Sequence, residues 1–226
     1  LVAFPAGNSG TALWFEPLAQ DAAWRLEGEP QPVTIDDAKG RPLHGVRFIV
    51  TIDAARLVPR QAVLSSIRVI RDYQALGTAP AEVLTPPRTT ADTIRWSRDR
   101  LDGAAGYDLT MTVTDGRIEG GAILAGQGGR IRFTVTALTG ETPLTPRAGA
   151  DLLNAKAQPD QGARNALTFL SYAEKFLAGS WRFDTYFGRD TLMSVRLLMP
   201  ALEPAAVETG LFSVLARLSP QGEVAH

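Results

Sequence analysis

Residues 180 to 200 read SWRFDTYFGRDTLMSVRLLMP and hold the side chains of this chain best suited to chemistry. Arg189 and Asp190 stand between the aromatics Trp181, Phe183, Tyr186 and Phe187 and an apolar run that begins after Thr191. A charged pair in such a place has two physical uses. In one, Asp190 caps a helix starting near Thr191, where backbone N–H groups and the helix dipole favour negative charge. Arg189 then pairs with a nearby carboxylate such as Asp184. In the other, the pair grips a polar ligand. Sugar rings offer C–H faces to aromatics and hydroxyl pairs to a planar guanidinium and a carboxylate. Arg189 and Asp190, walled by Trp181, Tyr186 and Phe187, therefore suit one pyranose unit.

Other motifs carry less. Gly7-Asn8-Ser9-Gly10 begins like a nucleophile elbow, but Thr11 stands where the second glycine belongs and a strand follows, so a turn is expected. Gly126-Gln127-Gly128-Gly129 precedes a strand at Arg130, leaves no helix N-terminus to hold a phosphate, and reads as a hairpin loop. Trp14, Trp24 and Trp96 lie in strand patterns and are expected in the core. The mixed-sign run Arg95, Arg98, Asp99, Arg100 and Asp102 reads as a solvated strand edge.

Bulk properties narrow the function classes. The chain has 226 residues, 45% of them hydrophobic, and a net charge of −1 from 23 basic and 24 acidic side chains. That balance gives no electrostatic reason to expect a nucleic acid or an anionic membrane as partner. No apolar run approaches the roughly 18 residues a membrane span needs. Cysteine is absent, which excludes disulfides and thiolate metal sites and fits a cytosol or a periplasmic or secreted location. With only His44 and His226, no histidine metal site is expected, and no cofactor is implied. The chain opens at Leu1 without an initiator Met or a basic leader segment, so further residues are expected upstream.

Two kinds of element must position the Arg189–Asp190 pair. From Thr11 to Leu138 the pattern is that of strands. Tyr107, Leu109, Met111 and Val113 alternate with Asp108, Thr110, Thr112 and Thr114, and Ile131, Phe133, Val135 and Ala137 alternate with Arg and Thr. Val46, Phe48, Val50 and Ile52 show the same pattern, with Ile49 as its only apolar interruption. Asp115-Gly116 predicts a type I′ turn to a strand at Arg117. Eight or nine short strands between Gly, Pro and Asp turns argue for a β-sandwich over residues 1–138. Residues 139–161, with several prolines, form a connector with a helical turn near Leu152. Over 162–226 the period becomes helical: Ala163, Leu167, Leu170, Ala173 and Leu177 make one stripe that stops at Gly179. Thr191–Met199 predicts a second helix, and a third opens at Pro204 with Val207, Leu211, Val214, Leu215 and Leu218 on its apolar side.

Phe187-Gly188-Arg189-Asp190-Thr191 before an apolar helix resembles the WGRDT-type motif of six-hairpin glycosidases, which include glycogen-debranching, glucoamylase and trehalase relatives. The order of a sandwich before helices is similar to theirs as well. Gly222-Glu223-Val224-Ala225-His226 looks like the family's Gly-x-Ile/Val-x-His-Glu loop, ending just before its Glu. Phe187 departs from the family's usual Trp.

The resemblance implies a fold class of β-sandwich followed by α-helices, an N-terminal supersandwich plus the start of an (α/α)6 toroid. It implies that Arg189 and Asp190 contact the hydroxyls of a terminal sugar, with Tyr186, Phe187, Trp181 and His226 about it. The general acid and base, roughly 6.5–9.5 Å apart in an inverting enzyme, are expected outside these residues. Twelve helices need on the order of 200 residues, more than 162–226 provide. Asp190 is accordingly a sugar ligand and not a proton donor. The expected function is the N-terminal portion of a glycoside hydrolase, an inverting α-glucosidase or debranching-type enzyme acting on glucose-containing oligosaccharides. Its expected partners are the oligosaccharide and a C-terminal polypeptide that completes the toroid. The alternative is a non-catalytic carbohydrate-binding or assembly module in which the Arg189–Asp190 pair is only a cap.

Overall fold

The computed structural model describes residues 1–178 and 185–224. The protein is mostly β-sheet with four helices, and it divides into two compact units, Leu1–Thr142 and Pro143–His226.

In the first unit, strands β1 (Val2–Phe4), β2 (Ser9–Phe15), β3 (Trp24–Asp36), β4 (Pro42–Ile52), β5 (Arg56–Leu57) and β6 (Pro59–Ser66) precede helix α1 (Ile67–Leu76). Strands β7 (Arg88–Thr89), β8 (Thr93–Arg98), β9 (Tyr107–Asp115), β10 (Arg117–Glu119), β11 (Ala122–Leu124) and β12 (Ile131–Thr139) follow it. Six of these strands form one antiparallel sheet in the order β3-β4-β12-β9-β8-β7. The alternating segments read from the sequence occupy its centre. Register sets Val50, Phe133 and Val113 side by side, and Phe48, Val135 and Met111 beside them. Period-two patterning puts these on one face. The smaller sheet β1-β2-β6 lies across the resulting core, with Phe4, Ala62 and Leu64 joining Ile94, Trp96, Leu109, Met111, Ile131 and Phe133. The arrangement is sandwich-like. Each fully buried side chain such as Met111 or Phe133 contributes about 1.5–3 kcal/mol of transfer free energy.

The three-stranded sheet is covered on its other side by α1. Ser66 caps this helix by accepting the Val69 N–H at 3.4 Å, and Gly77 ends it in the left-handed region at φ 71°. Ile67, Ile70 and Tyr73 are buried against Ala12 and Val63, and Trp14 meets Tyr73 edge-on at 4.6 Å. Strand β2 thus sends Ala12 and Trp14 toward α1, and Thr11, Leu13 and Phe15 toward the space between the sheets. Helix α1 lies inside the segment that reads as strands. Its Ile- and Val-rich composition favours extended chain locally, but its two caps and the apolar surface of β2 and β6 decide for helix.

Four further expectations are corrected. Asp115-Gly116 is no hairpin turn: β9 belongs to the six-stranded sheet, whereas β10 pairs with β11 in a sheet ordered β10-β11-β5. Gly116 carries the chain between sheets, and a side chain there would meet the Leu124 carbonyl oxygen at 2.5 Å. Residues 126–129 likewise link β11 to β12 in different sheets. Trp24 is 46% exposed, whereas Trp96 is buried. Within the charged run, Arg98 is half-buried. Its Nε donates to the Leu64 carbonyl at 2.6 Å and its guanidinium stands 4.9 Å from the Tyr107 ring centroid.

The rim strand β3 is exposed along nearly its whole length. Its pairing to β4 breaks between Glu27 and Gln31, where Gly28 takes φ 72° and Pro30 follows. At the β3–β4 turn, the Asp37 carboxylate accepts the Arg41 backbone N–H at 2.9 Å, the Arg41 Nε–H at 2.7 Å and the Lys39 backbone N–H at 2.8 Å.

In the second unit, residues 149–151 make a single helical turn that delivers Leu152 to a small core with Phe176, Val195, Leu202 and Ala206. Asn154 Nδ2 donates to the carbonyls of Pro200 and Leu202 at 3.1 and 2.9 Å, fixing the loop ahead of the last helix. Helix α2 (Gln161–Phe169) is capped by Asp160, which accepts the Ala163 N–H at 2.9 Å. It is shorter than its apolar stripe predicts. Beyond Leu170 the chain turns, the Leu177 N–H reaches the Leu170 carbonyl and the Ala173 N–H reaches Thr145, so Ala173 and Leu177 lie outside the helix.

Helices α3 (Gly188–Leu198) and α4 (Pro204–Leu215) pack together, and Pro204 occupies the first turn of α4. The buried side of α4 is Ala206, Gly210, Ser213 and Val214, with Val207 packed against the same core, whereas Leu211 and Leu215 of the expected apolar series are exposed. A Cβ at Gly210 would lie 2.3 Å from Val195 Cγ2 and 3.3 Å from the Phe176 ring. Close approach of the helices therefore selects the small residues, and Leu197, Phe212 and Leu215 are left exposed. The described residues of this unit form three helices and no toroid.

Candidate functional site at the start of helix α3

Helix α3 begins three residues earlier than the apolar run predicts. Phe187, extended at φ −130°, is its N-cap, so Arg189 and Asp190 are the second and third residues of the first turn. Asp190 is therefore inside the helix and does not cap it. Thr191 fixes this entry: its N–H and its hydroxyl both donate to the Phe187 carbonyl, at 3.0 and 2.8 Å, and its side chain is buried.

Arg189 and Asp190 are exposed, and neither makes an ion pair or side-chain hydrogen bond among the described residues. The first-turn amides likewise have no side-chain cap. One turn thus presents a guanidinium and a carboxylate to solvent. This is a set of donors and acceptors matched to vicinal hydroxyls.

Tyr186 precedes them and is held from α4. Its hydroxyl donates to the Ser213 carbonyl at 3.2 Å, the Arg217 Nη1 donates to the same oxygen at 2.6 Å, and the Arg217 guanidinium stands 4.8 Å from the ring centroid. Arg217 also lines an open groove of about 550 Å³ with Arg147, Glu174, Thr209, Phe212 and Ser213. Across that groove Arg147 Nη2 donates to the Thr209 hydroxyl at 2.6 Å, while its buried Nε has no partner among the described residues.

The structure therefore places Tyr186, Phe187, Arg189 and Asp190 on one short stretch running into α3. Trp181 and His226, with Phe183 and Asp184, lie outside the described residues. Arg217, Ser213 and the anchoring role of Thr191 were not legible. Tyr186 and Ser213 are 27 positions apart, and no local pattern announces their contact. Among the described residues no group of three His, Cys, Asp or Glu side chains could hold a metal, and no helix is long and apolar enough to cross a membrane.

No protein-family model, no curated protein and no solved structure matches the chain.

Proposed function

We infer that the chain is the N-terminal portion of a glycoside hydrolase of the six-hairpin type, acting on glucose-containing oligosaccharides with inversion. The observation that carries this reading is the exposed Arg189–Asp190 step on the first turn of α3, directly after Tyr186 and Phe187 and without an ion pair among the described residues. An internal cap and ion pair would consume these charges. Left free, they are available to a sugar's hydroxyls. Arg189 would donate to two adjacent oxygens, Asp190 would accept from a hydroxyl, and the Phe187 or Tyr186 ring would face the apolar side of the pyranose.

Proton transfer belongs to two other carboxyl groups on helices that complete a toroid with α2, α3 and α4. The exposed Leu197, Phe212 and Leu215 are apolar surface that such helices would cover. Asp190→Asn in the complete enzyme is the test. Turnover of glucose-containing oligosaccharides should fall by orders of magnitude. Turnover near that of the parent enzyme would reject the assignment and leave a non-catalytic module.

A further inference from the structure

Two aromatic side chains stand directly before the Arg189–Asp190 step, and they are fixed in different ways. Phe187 is fixed at its backbone, where its carbonyl accepts the N–H and the hydroxyl of Thr191 at 3.0 and 2.8 Å. Tyr186 is fixed at its ring. Its hydroxyl donates to the Ser213 carbonyl at 3.2 Å, and the Arg217 guanidinium lies over one face, 4.8 Å from the centroid. Arg217 Nη1 is anchored at 2.6 Å to that same carbonyl.

An arginine just beyond a helix C-terminus commonly bonds the last carbonyls, and such a cap needs no aromatic partner. Arg217 is exposed and makes no ion pair among the described residues. Its planar, delocalised cation is suited to lying flat on an aromatic face while one N–H is spent elsewhere. The result is a half-buried tyrosine ring held at its tip by a hydrogen bond and on one face by a charge. A sugar stacks on the face of an aromatic ring. A ring already held in place spares binding the cost of ordering it.

We propose that Arg217 is a positioning residue of the sugar site. By clamping one face of Tyr186 from α4, it turns the other toward the pyranose bound at Arg189 and Asp190, and so makes Tyr186 the stacking ring. This rests on the glycosidase reading of the α3 entry and adds to it a residue that acts without touching the sugar.

The test is a double-variant cycle in the complete enzyme, followed in KM and kcat. Maltotriose, isomaltotriose and trehalose are the probes, and the one turned over fastest is used. Arg217→Ala should raise KM about tenfold with little change in kcat, because it removes binding common to ground and transition states. Tyr186→Ala should raise KM at least as much. With Tyr186 already replaced, Arg217→Ala should raise KM no further, an outcome that lost stability alone does not predict. Arg217→Lys keeps the charge but not the planar fork, and should recover about threefold of the loss. Where Arg217→Ala does not fold, the cycle is run with Arg217→Lys.

An unchanged KM in the Arg217 variant overturns the proposal. So do KM effects that add in the double variant, which would put Arg217 on the sugar itself. Asp190→Asn is measured beside them. Turnover kept in that variant while the cycle closes as expected upholds the clamp and rejects the role of Asp190. A parent enzyme that turns over none of the three sugars overturns the proposal together with the reading beneath it.

Discussion

Arg217 and Tyr186 are bound to each other twice over: the guanidinium stands 4.8 Å from the ring centroid, and both side chains donate to the Ser213 carbonyl. That node ties the residue before the α3 entry to the C-terminal end of α4. Tyr186→Phe removes one donor and should destabilise the chain by about 0.5–1.5 kcal/mol. Arg217→Ala removes a donor and the cation–π contact, the latter worth about 0.5–1 kcal/mol at an exposed site. Because the two share an acceptor, the double variant should lose less than the sum. Urea unfolding measures this, and strict additivity would show that the two side chains act separately.

Asp190 and Thr191 are neighbours with opposite duties. Thr191 is buried and pins Phe187, so Thr191→Val should cost about 1 kcal/mol of stability. Asp190 is exposed and has no ion-pair partner among the described residues, and Asp190→Asn forfeits at most a helix-dipole contribution of about 0.3–1 kcal/mol. Thermal unfolding of both variants beside turnover separates the roles. Activity lost in Asp190→Asn with the melting temperature nearly kept is the expected pattern.

Glycine to alanine within an exposed helix normally stabilises by about 1 kcal/mol. At Gly210 the sign should reverse. The new methyl would sit 2.3 Å from Val195 Cγ2, and overpacking of this kind costs about 1–3 kcal/mol. Adding Val195→Ala should restore part of the loss, as denaturant midpoints of the single and double variants would reveal.

Asp37 sets an acid limit on the first unit. Hydrogen bonds from the Arg41 backbone and guanidinium, and then from the Lys39 backbone, lower its pKa to about 2 against partial desolvation. The folded value is below the unfolded one of about 3.9. Its contribution is therefore complete above about pH 4 and lost as pH falls toward 2. Melting temperature against pH should drop over that window, and Asp37→Asn should flatten the drop. Carbon-detected titration of the Asp37 carboxyl with a midpoint near 4 would refute the mechanism.

Legibility followed locality. The cores of β4, β9 and β12 were readable because Phe48, Met111 and Phe133 alternate with polar neighbours, and that period depends on the strand alone. Helix α1 was missed because Ile67, Val69 and Ile70 suit either state, and the choice rests on Trp14 and Ala12 from another strand. The change of sheet at Gly116 depends on β5 and β11 finding each other, which no dipeptide encodes. On α4, counting large apolar residues finds Val207 and Val214 but also takes in the exposed Leu211 and Leu215, since the contact is governed by how near Val195 comes. The charged step at Arg189 and Asp190 stood out by residue type, but its helical position was off by three residues because Gly188, Arg189 and Asp190 make up the first turn.

Strand β3 runs for 13 residues along the rim of the large sheet, long enough to recruit a foreign strand. Pro30 and Pro32 offer such a visitor no N–H, and the kink at Gly28 spoils a continuous register. Crowded chains should accordingly find no template for fibril growth on this side, which lets a long ribbon of backbone face solvent without seeding its own precipitation.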